Sequence, residues 1–293
     1  MTNSTKPQKL LGVWLEKRLP SEAWAWLDQQ VRALTNEATD RDLYFAVSMA
    51  LRKVGKSDVD LSEADFRDAK EARPGWTPKN WSVDQAARLL LMLAASPDGG
   101  QFASRLEQLC NSADVRELIA FYQGLPLYPD PERYIGRAGE GLRTNMKAVF
   151  EAVAHNNPYP FENFEDGAWN QMVLKAIFVG SPLNPIQGLD QRRNLELAQT
   201  LIDYAHERWV ASRAVTPELW RMVGPFADEV IVNDLRRPLT SDLLVERHAA
   251  VLALRESPHE SARPLVEAAA QINSDIEAGH VSWETVCRDL PKT

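Results

Sequence analysis

The sequence predicts an all-α protein, and two observations carry that prediction. Apolar residues recur at steps of three and four along nearly all of the 293 residues, and no run of residues convincingly indicates a strand. Prolines mark short turns between the periodic segments, so the helices follow one another as pairs. Such chains usually stack as hairpins. We therefore expect an irregular α/α superhelix of HEAT-like stacked helical hairpins, with a compact irregular helical bundle as the alternative.

Cap residues place the helices of the N-terminal part. Thr39, or Asp40 beside it, and Ser62 each stand just before an apolar-periodic segment, where a side-chain oxygen can accept a hydrogen bond from the first turn. Gly55 is placed to end the helix between them. Trp76 and Trp81 lie in a loop rich in proline and glycine, and two tryptophans in one loop indicate that it packs against the core. Helices are predicted to begin near residues 10, 21, 40, 62, 83, 98 and 114.

A proline-containing connector over 125–131 precedes the C-terminal part. No strict repeat period is found, so a regular consensus array is not expected. The segment 238–264 is typical of one helical hairpin between two prolines. We expect one domain over 1–293, with possible sub-halves 1–124 and 125–293. The helices predicted after the connector cover residues 141–156, 166–180, 194–213, 216–223, 228–235, 241–256 and 259–277.

Composition excludes several classes of protein. The formal net charge is −8, and an acidic chain lacks the broad basic surface that nucleic-acid binding usually requires. Cys110 and Cys287 are too few for a disulfide framework, which fits a reducing compartment. No apolar run has the length of a signal peptide or of a membrane span. We expect a cytoplasmic protein with no nucleic-acid partner and with peripheral membrane contact at most.

Polar residues are unusually dense between residues 131 and 225. If 141–156 forms one helix, Glu140, Arg143, Lys147 and Glu151 follow one side of it at three- and four-residue steps. A solvated face with weak ion pairs is the more ordinary interpretation of these charges, and a ligand site is the alternative. Known reaction motifs are missing, since the sequence holds no GxGxxG after a strand, no Walker-type phosphate loop and no GxSxG nucleophile elbow.

Two further groups of polar residues lie on predicted helices. Asn170 and Lys175 belong to a helix that is apolar almost all round, so at least one of them is expected in a buried environment with structural partners or a ligand. Asp203 and His206 have the spacing of two metal ligands, with His155 as an optional contributor. An ion pair is the more ordinary interpretation of His206. The sequence therefore predicts no metal site and identifies no cofactor.

Long motifs in the same polar stretch resemble the EboA family. They are 132–137 (ERYIGR), 140–146 (EGLRTNM), 157–160 (NPYP), 168–176 (AWNQMVLKA), 188–190 (GLD), 206–209 (HERW) and 218–220 (ELW). The segments 73–76 (RPGW) and 84–88 (DQAAR), with Trp81 between them, resemble the N-terminal half of the family. The resemblance extends over 10–260, and the chain departs from the commoner pattern at 184–185 and 192–193.

The resemblance implies a product of a bacterial operon tied to the traffic or maturation of specialised metabolites, including pigment precursors destined for the periplasm. The operon neighbours resemble a membrane prenyltransferase, a sugar-phosphate cyclase and metal-dependent hydrolases, so proteins of the same operon or a small polar metabolite are the expected partners. No catalytic role is carried over to any residue. The candidate ligand-binding residues are Arg137, Glu140, Arg143, Asn145, Glu151, Asn157, Asn170, Lys175, Asp190, His206 and Arg208.

The favoured hypothesis is a non-catalytic pathway component. Its concave helical surface would hold partner proteins or an anionic metabolite through Arg137, Arg143, Lys175 and Arg208, because the planar guanidinium bonds carboxylate or phosphate bidentately. A purely structural superhelix, whose polar motifs only cap and connect helices, is a competing hypothesis.

The enzyme hypothesis needs an acid and a base in one pocket. A phosphorylated sugar or cyclitol would be the substrate, with Glu140 or Glu151 as general base and His206 as acid or metal ligand. A common cavity for these side chains would support this hypothesis.

Overall fold

The structure is a computed structural model, and it describes residues 5–37, 39–95 and 99–290. Regular structure in these residues is helical, and the β-type pairing among them is an isolated bridge between Asp58 and Ser82. The predicted all-α fold is therefore confirmed, while the stacking of its hairpins into a superhelix stays a prediction. Within the described ranges, no helix has both the length and the apolar character needed to cross a membrane.

The chain divides into two compact units, Met1–Glu165 and Asp166–Thr293. This boundary lies later in the chain than the one expected between the sub-halves. The helices of the first unit are α1 Lys6–Arg18, α2 Ser21–Glu37, α3 Asp40–Val54, α4 Glu63–Ala72, α5 Val83–Ala95, α6 Gly99–Ser112, α7 Val115–Gln123, α8 Ile135–Arg143, α9 Lys147–Ala154 and α10 Tyr159–Asn163. Those of the second unit are α11 Asp166–Phe178, α12 Leu195–Val210, α13 Leu219–Val223, α14 Glu229–Asp234, α15 Arg236–Leu239, α16 Leu244–Glu256, α17 Ala262–Ala268, α18 Ala270–Glu277 and α19 Trp283–Arg288.

Helix α5 is the centre of the first unit. Every residue of α5 except Leu93 is buried, and the helix packs against α1, α2, α3 and α7. The loop before it carries Trp76 and Trp81, which are both buried, and the ring of Trp76 lies 5.3 Å from that of Trp14 on α1. The prediction that the tryptophans attach this loop to the core is therefore confirmed.

The predicted caps are confirmed at two helix starts and at one helix end. Thr39 and Ser62 each form a capping box, in which the side chain accepts from the third residue of the helix and that residue bonds back. Gly55 follows α3 with a φ of 82°, which favours glycine. Ser21 is the first residue of α2 rather than a residue in front of it. Asp98, where the next helix was expected to start, lies outside the described residues.

Helix α16 is the centre of the second unit. Its residues 249–254 are all buried, and the helix packs against α13, α15, α17, α18 and α19. The helix predicted over 259–277 is wrong as a single element, because α17 and α18 are separated at Ala269. The backbone of that residue leaves the helical region, with φ −92° and ψ 40°.

The helix predicted over 141–156 is also two elements. Thr144 has an extended backbone, with ψ 151°, and its Oγ1 accepts the amide of Met146 at 3.2 Å. This local bond competes with helical hydrogen bonding, as is usual for threonine, and α8 ends at Arg143. The expected row of four charges is therefore wrong. Glu140 and Arg143 pair on α8, whereas Lys147 and Glu151 pair on α9.

Candidate functional site

The candidate residues are divided between the two units. The first unit holds Arg137, Glu140, Arg143, Asn145, Glu151 and Asn157. The second unit holds Asn170, Lys175, Asp190, His206 and Arg208. Each unit has its own cavities.

A cavity of about 610 Å³ in the first unit is lined by the candidate residues of α8. Arg137, Glu140 and Arg143 follow each other at three-residue steps along one side of that short helix. Glu107 of α6 faces them, and Arg133 comes from the turn before α8. We call this site the arginine cavity and define it by these five residues.

Arg137 is the fixed cation of the arginine cavity. Its Nε donates to Oε2 of Glu107 at 2.9 Å, and a second guanidinium nitrogen bonds the other carboxylate oxygen. Burial raises the pKa of Tyr122, and a bond from the Arg137 guanidinium to its hydroxyl opposes that shift. The side chain of Arg137 is only 15% exposed. This bidentate arrangement of a largely covered side chain leaves the guanidinium little freedom to move.

Arg143 and Arg133 form looser pairs. Arg143 is 67% exposed and donates to Glu140 at 2.6 Å, and this bond lowers the pKa of the Glu140 carboxyl. Arg133 is half exposed and pairs with Asp130 at 3.1 Å. Exposed pairs of this kind contribute little free energy, so an incoming anion can replace the carboxylate at small expense.

Gly141 sets the position of α8. A Cβ added there would lie 2.7 Å from Val153 on α9 and 2.8 Å from Tyr122 on α7, so glycine allows the close approach of the helix to both. Gly136, in contrast, faces open space. Gly141, rather than Gly136, is therefore the glycine that this packing requires. The arginines are held on the far side of a helix whose inner face is closely packed.

The other candidates of the first unit do not line the arginine cavity. Asn145 is exposed in the break between α8 and α9, and Glu151 pairs with Lys147 at 3.8 Å. Asn157 is buried, and its side chain bonds three backbone groups. Its Nδ2 donates to the carbonyls of Tyr122 and Ala152, and its Oδ1 accepts the amide of Tyr159. Asn157 therefore serves the fold.

Replacing Asn157 by alanine should lower the free energy of unfolding by about 1–3 kcal/mol, because buried backbone groups lose their partners. Asn145→Ala is the matched control, since Asn145 is exposed and a surface substitution changes stability by no more than about 0.5 kcal/mol. Chemical denaturation of the two variants measures the difference. Equal stability of the two variants would contradict the structural role.

Asn170 and Asp190 have structural partners in the second unit. Asn170 and Asn194 exchange amide hydrogen bonds of 3.3 and 2.8 Å, and Asn194 caps α12 by accepting the amide of Leu197. Asp190 receives two bonds of 2.8 Å from Arg221, which lowers the pKa of this carboxyl. Burial lowers the pKa of Lys175 on α11.

His206 forms a hydrogen bond with a carboxylate on another helix. Its Nε2 lies 2.7 Å from Oδ2 of Asp234, and its ring lies 5.7 Å from that of Trp209. Asp203 is exposed on the same helix as His206. Among the described residues, no group of three or more histidine, cysteine, aspartate or glutamate side chains is placed to hold a metal ion.

A second cavity, of about 710 Å³, lies in the second unit and includes Arg208. We call it the Glu218 cavity, after the buried carboxylate in its lining. Glu218 is 3% exposed and accepts the backbone amides of Leu183 and Asn184 at 3.0 Å. Burial raises the pKa of Glu218, although these amides and a bond from the Cys287 thiol oppose the shift. The pKa of Cys287 is raised to about 11 by burial and by Glu218, so its thiolate is scarce at neutral pH.

A buried ion pair on α5 and the buried Glu218 were not among the sequence candidates. Asp84 and Arg88 pair one turn apart on α5, and Arg116 of α7 donates to Asp84 at 2.6 Å. Their signal was present in the segment 84–88, since two opposite charges four residues apart in an apolar helix indicate a buried pair. Glu218 left no comparable signal, because its amide partners come from a turn 34 and 35 residues away.

The comparisons with known proteins bear on all eleven candidate residues. The family model described as metabolite traffic protein EboA matches residues 7–224, which is more than half of the chain and includes every candidate. The match ends before residue 260, where the resemblance was expected to end. No curated protein and no solved structure matched the chain. The family description indicates a general role in metabolite traffic and names no ligand or partner. The chain belongs to the EboA family.

Proposed function

We propose that this chain is a non-catalytic component of a metabolite pathway and that it binds a small anionic metabolite in the arginine cavity. The supporting observation is the convergence of Arg133, Arg137 and Arg143 on one cavity of about 610 Å³. That volume falls within the range of sites that hold small molecules. Glu107 and Glu140 are the opposing charges in the lining, whereas the whole chain carries a net charge of −8. The arginine cavity is thus a locally positive site on an acidic protein.

The two main arginines have different parts in this proposal. Arg137 is held by Glu107 and Tyr122, so it presents a pre-oriented guanidinium at little cost in conformational entropy. Arg143 is exposed and exchanges Glu140 for the ligand. A carboxylate or phosphate group suits this site, because both accept two parallel N–H bonds from arginine.

The electrostatics of Glu140 favour binding over acid–base catalysis. A general base works best when its pKa lies near the operating pH, yet Arg143 lowers the pKa of Glu140. Glu151, the other expected base, lies outside the cavity lining. His206 belongs to the second unit and bonds Asp234. These positions support a ligand binder rather than an enzyme that acts on a phosphorylated sugar.

Partner proteins complete the proposed role. A protein of metabolite traffic receives its ligand from one protein and delivers it to another, so proteins of the same operon are the partners that we propose. The general family description, metabolite traffic protein, supports the proposal that such partners exist. The arginine cavity is the part of the proposal that a binding experiment can test directly.

The experiment is isothermal titration of the full chain with inorganic phosphate, glucose 6-phosphate and citrate. Binding of at least one anion is expected, and Arg143→Ala should weaken it by at least about tenfold, since one lost charge-assisted bond corresponds to roughly that factor. Arg143 is exposed, so the variant should fold normally.

Arg32→Ala is the matched control. Arg32 is an exposed arginine of α2 in the same unit and is paired with Asp28 at 2.8 Å, away from the cavity. Its removal changes the net charge equally but should leave the affinity unchanged. If none of the anions binds, or if both variants weaken binding equally, the arginine cavity is not the site.

A further inference from the structure

The Glu218 cavity differs chemically from the arginine cavity. Its walls are largely apolar, with Phe178, Leu183, Val215 and Leu243 among the lining residues. Phe178 and Leu243 remain 58% and 50% exposed, so the apolar surface is not fully covered by the chain. A volume of about 710 Å³ with mainly apolar walls and few polar groups is typical of sites for small organic molecules.

Two opposite charges in this lining have no counter-ion. Arg208 donates from Nε to the carbonyl of Ala214 at 3.0 Å, and its guanidinium lies over the ring of Tyr204, 6.0 Å from the ring centre. No described carboxylate lies within ion-pair distance of that guanidinium. Glu246 is half-buried, and its carboxylate forms neither an ion pair nor a hydrogen bond with the described part of the chain. The two side chains line one cavity without pairing with each other.

The other charged groups of the cavity already have partners. Glu218 is buried and accepts two backbone amides, and Arg288 donates to Asp289 at 2.8 Å. Arg213 and Arg237 share a smaller adjoining cavity with Glu246, yet neither pairs with it. The guanidinium of Arg237 lies over the ring of Trp209, 4.8 Å from its centre. Arg208 and Glu246 are thus the two charges of this cavity that a ligand can neutralise.

We propose that the Glu218 cavity binds a zwitterionic small molecule with an apolar body, of the aromatic α-amino-acid class. Arg208 holds its carboxylate, Glu246 holds its ammonium group, and the apolar walls take its side chain. This site is separate from the arginine cavity and does not depend on the function proposed above.

Arg208 and Glu246 both lack a counter-ion in the described part of the chain. Half-buried charges beside apolar walls are incompletely solvated. A ligand with complementary charges compensates for the lost solvation by forming ion pairs with them. A ligand with one charge satisfies one of the two residues and leaves the other unpaired beside an occupied cavity. The site should therefore discriminate strongly between ligands with one charge and ligands with two. Leaving a buried polar group unpaired costs more free energy than pairing it contributes.

Three matched probes test the proposal by isothermal titration of the full chain. L-tryptophan carries both charges, indole-3-propionate lacks the ammonium group, and tryptamine lacks the carboxylate. L-tryptophan should bind at least about tenfold more tightly than either analogue, which is the factor for one lost charge-assisted bond.

Two variants assign the charges to residues. Glu246→Gln should weaken the binding of L-tryptophan by at least about tenfold and leave the binding of indole-3-propionate unchanged. Arg208→Gln should weaken the binding of both of these ligands but not the binding of tryptamine. Arg143→Ala, which tests the arginine cavity, should leave L-tryptophan binding intact.

Three outcomes would overturn the proposal. The first is that none of the probes binds at concentrations up to about 10 mM, which corresponds to less than roughly 3 kcal/mol of binding free energy. The second is that the three probes bind equally, which would indicate an unselective apolar pocket. The third is that Glu246→Gln leaves the preference for L-tryptophan unchanged, so that the ammonium group is not held by Glu246.

Discussion

Replacing Asp84 by alanine is expected to lower the free energy of unfolding by about 3–5 kcal/mol, the usual result of breaking a buried ion pair from one side. Asp84 is fully buried on α5, where it bonds Arg88, Arg116 and Ser82. The variant leaves the guanidinium of Arg88 buried with 1% exposure. Glu117, 3.8 Å away, is then the described carboxylate nearest to it.

Thermal melting measures this effect, and Asp28→Ala is the matched control. Asp28 also pairs with an arginine four residues later on a helix of the same unit, but Arg32 is 76% exposed. The Asp84 variant should melt about 6–20 °C lower than the parent, whereas an exposed pair of this kind contributes only about 0.3–0.5 kcal/mol. A similar small shift for both variants would show that burial adds nothing to the Asp84 pair.

The stability that the bonds of Asp84 contribute should depend on pH. Burial alone would raise the pKa of Asp84, but hydrogen bonds from Arg116 and Ser82 and the charge of Arg88 lower it below its ordinary value. A lowered pKa in the folded state means that the stabilisation is complete above the unfolded pKa of about 3.9 and is lost as pH falls through the folded value. The stability difference between parent and Asp84→Ala should therefore shrink in acid, which melting curves between about pH 7 and 3 can follow.

Replacing Glu218 by alanine should lower the free energy of unfolding by about 2–4 kcal/mol, because two buried backbone amides lose their acceptor. Those amides belong to Leu183 and Asn184, in the turn that follows α11. Glu218→Gln keeps one acceptor oxygen, so it should lower the free energy of unfolding clearly less than Glu218→Ala does. Chemical denaturation of both variants tests this ranking, and equal losses would contradict the anchoring role of the carboxylate.

The same two variants test the pKa of Glu218. Burial raises this pKa, so the contribution of Glu218 to stability is complete below the unfolded pKa of about 4.3 and declines as pH rises through the folded value. Glutamine does not titrate. The stability of Glu218→Gln relative to the parent should therefore improve between about pH 4 and 8. An unchanged difference across that range would mean that the carboxyl has an ordinary pKa.

The errors in the predicted fold are local, and the break after α8 shows how one of them arises. Periodicity predicted one helix over 141–156, because Leu142, Val149 and Val153 continue an apolar pattern across the break. Thr144 ends α8 through a bond from its side chain to the amide of Met146. Threonine is found both inside and at the ends of helices, so its presence alone does not predict a break.

Three of the candidate residues, Arg137, Glu140 and Arg143, line one cavity, and their binding of a ligand stays a prediction. Asn157 and Asn170 bond backbone and side-chain groups of the fold, a use that the sequence could not distinguish from ligand binding. A polar residue in an apolar segment indicates a partner but does not identify it.

The sequence by itself determined the helical class, the capped helix starts and the family, because these depend on residues close together in the chain. Tertiary structure decided which charges share a cavity. Glu107 meets Arg137 across 30 residues, and Glu218 meets the turn at Leu183 across 35. Glu246 lines a cavity with Arg208 although it lies outside the family match. Helix packing brings such residues together, and the local sequence pattern does not predict which helices will pack against each other.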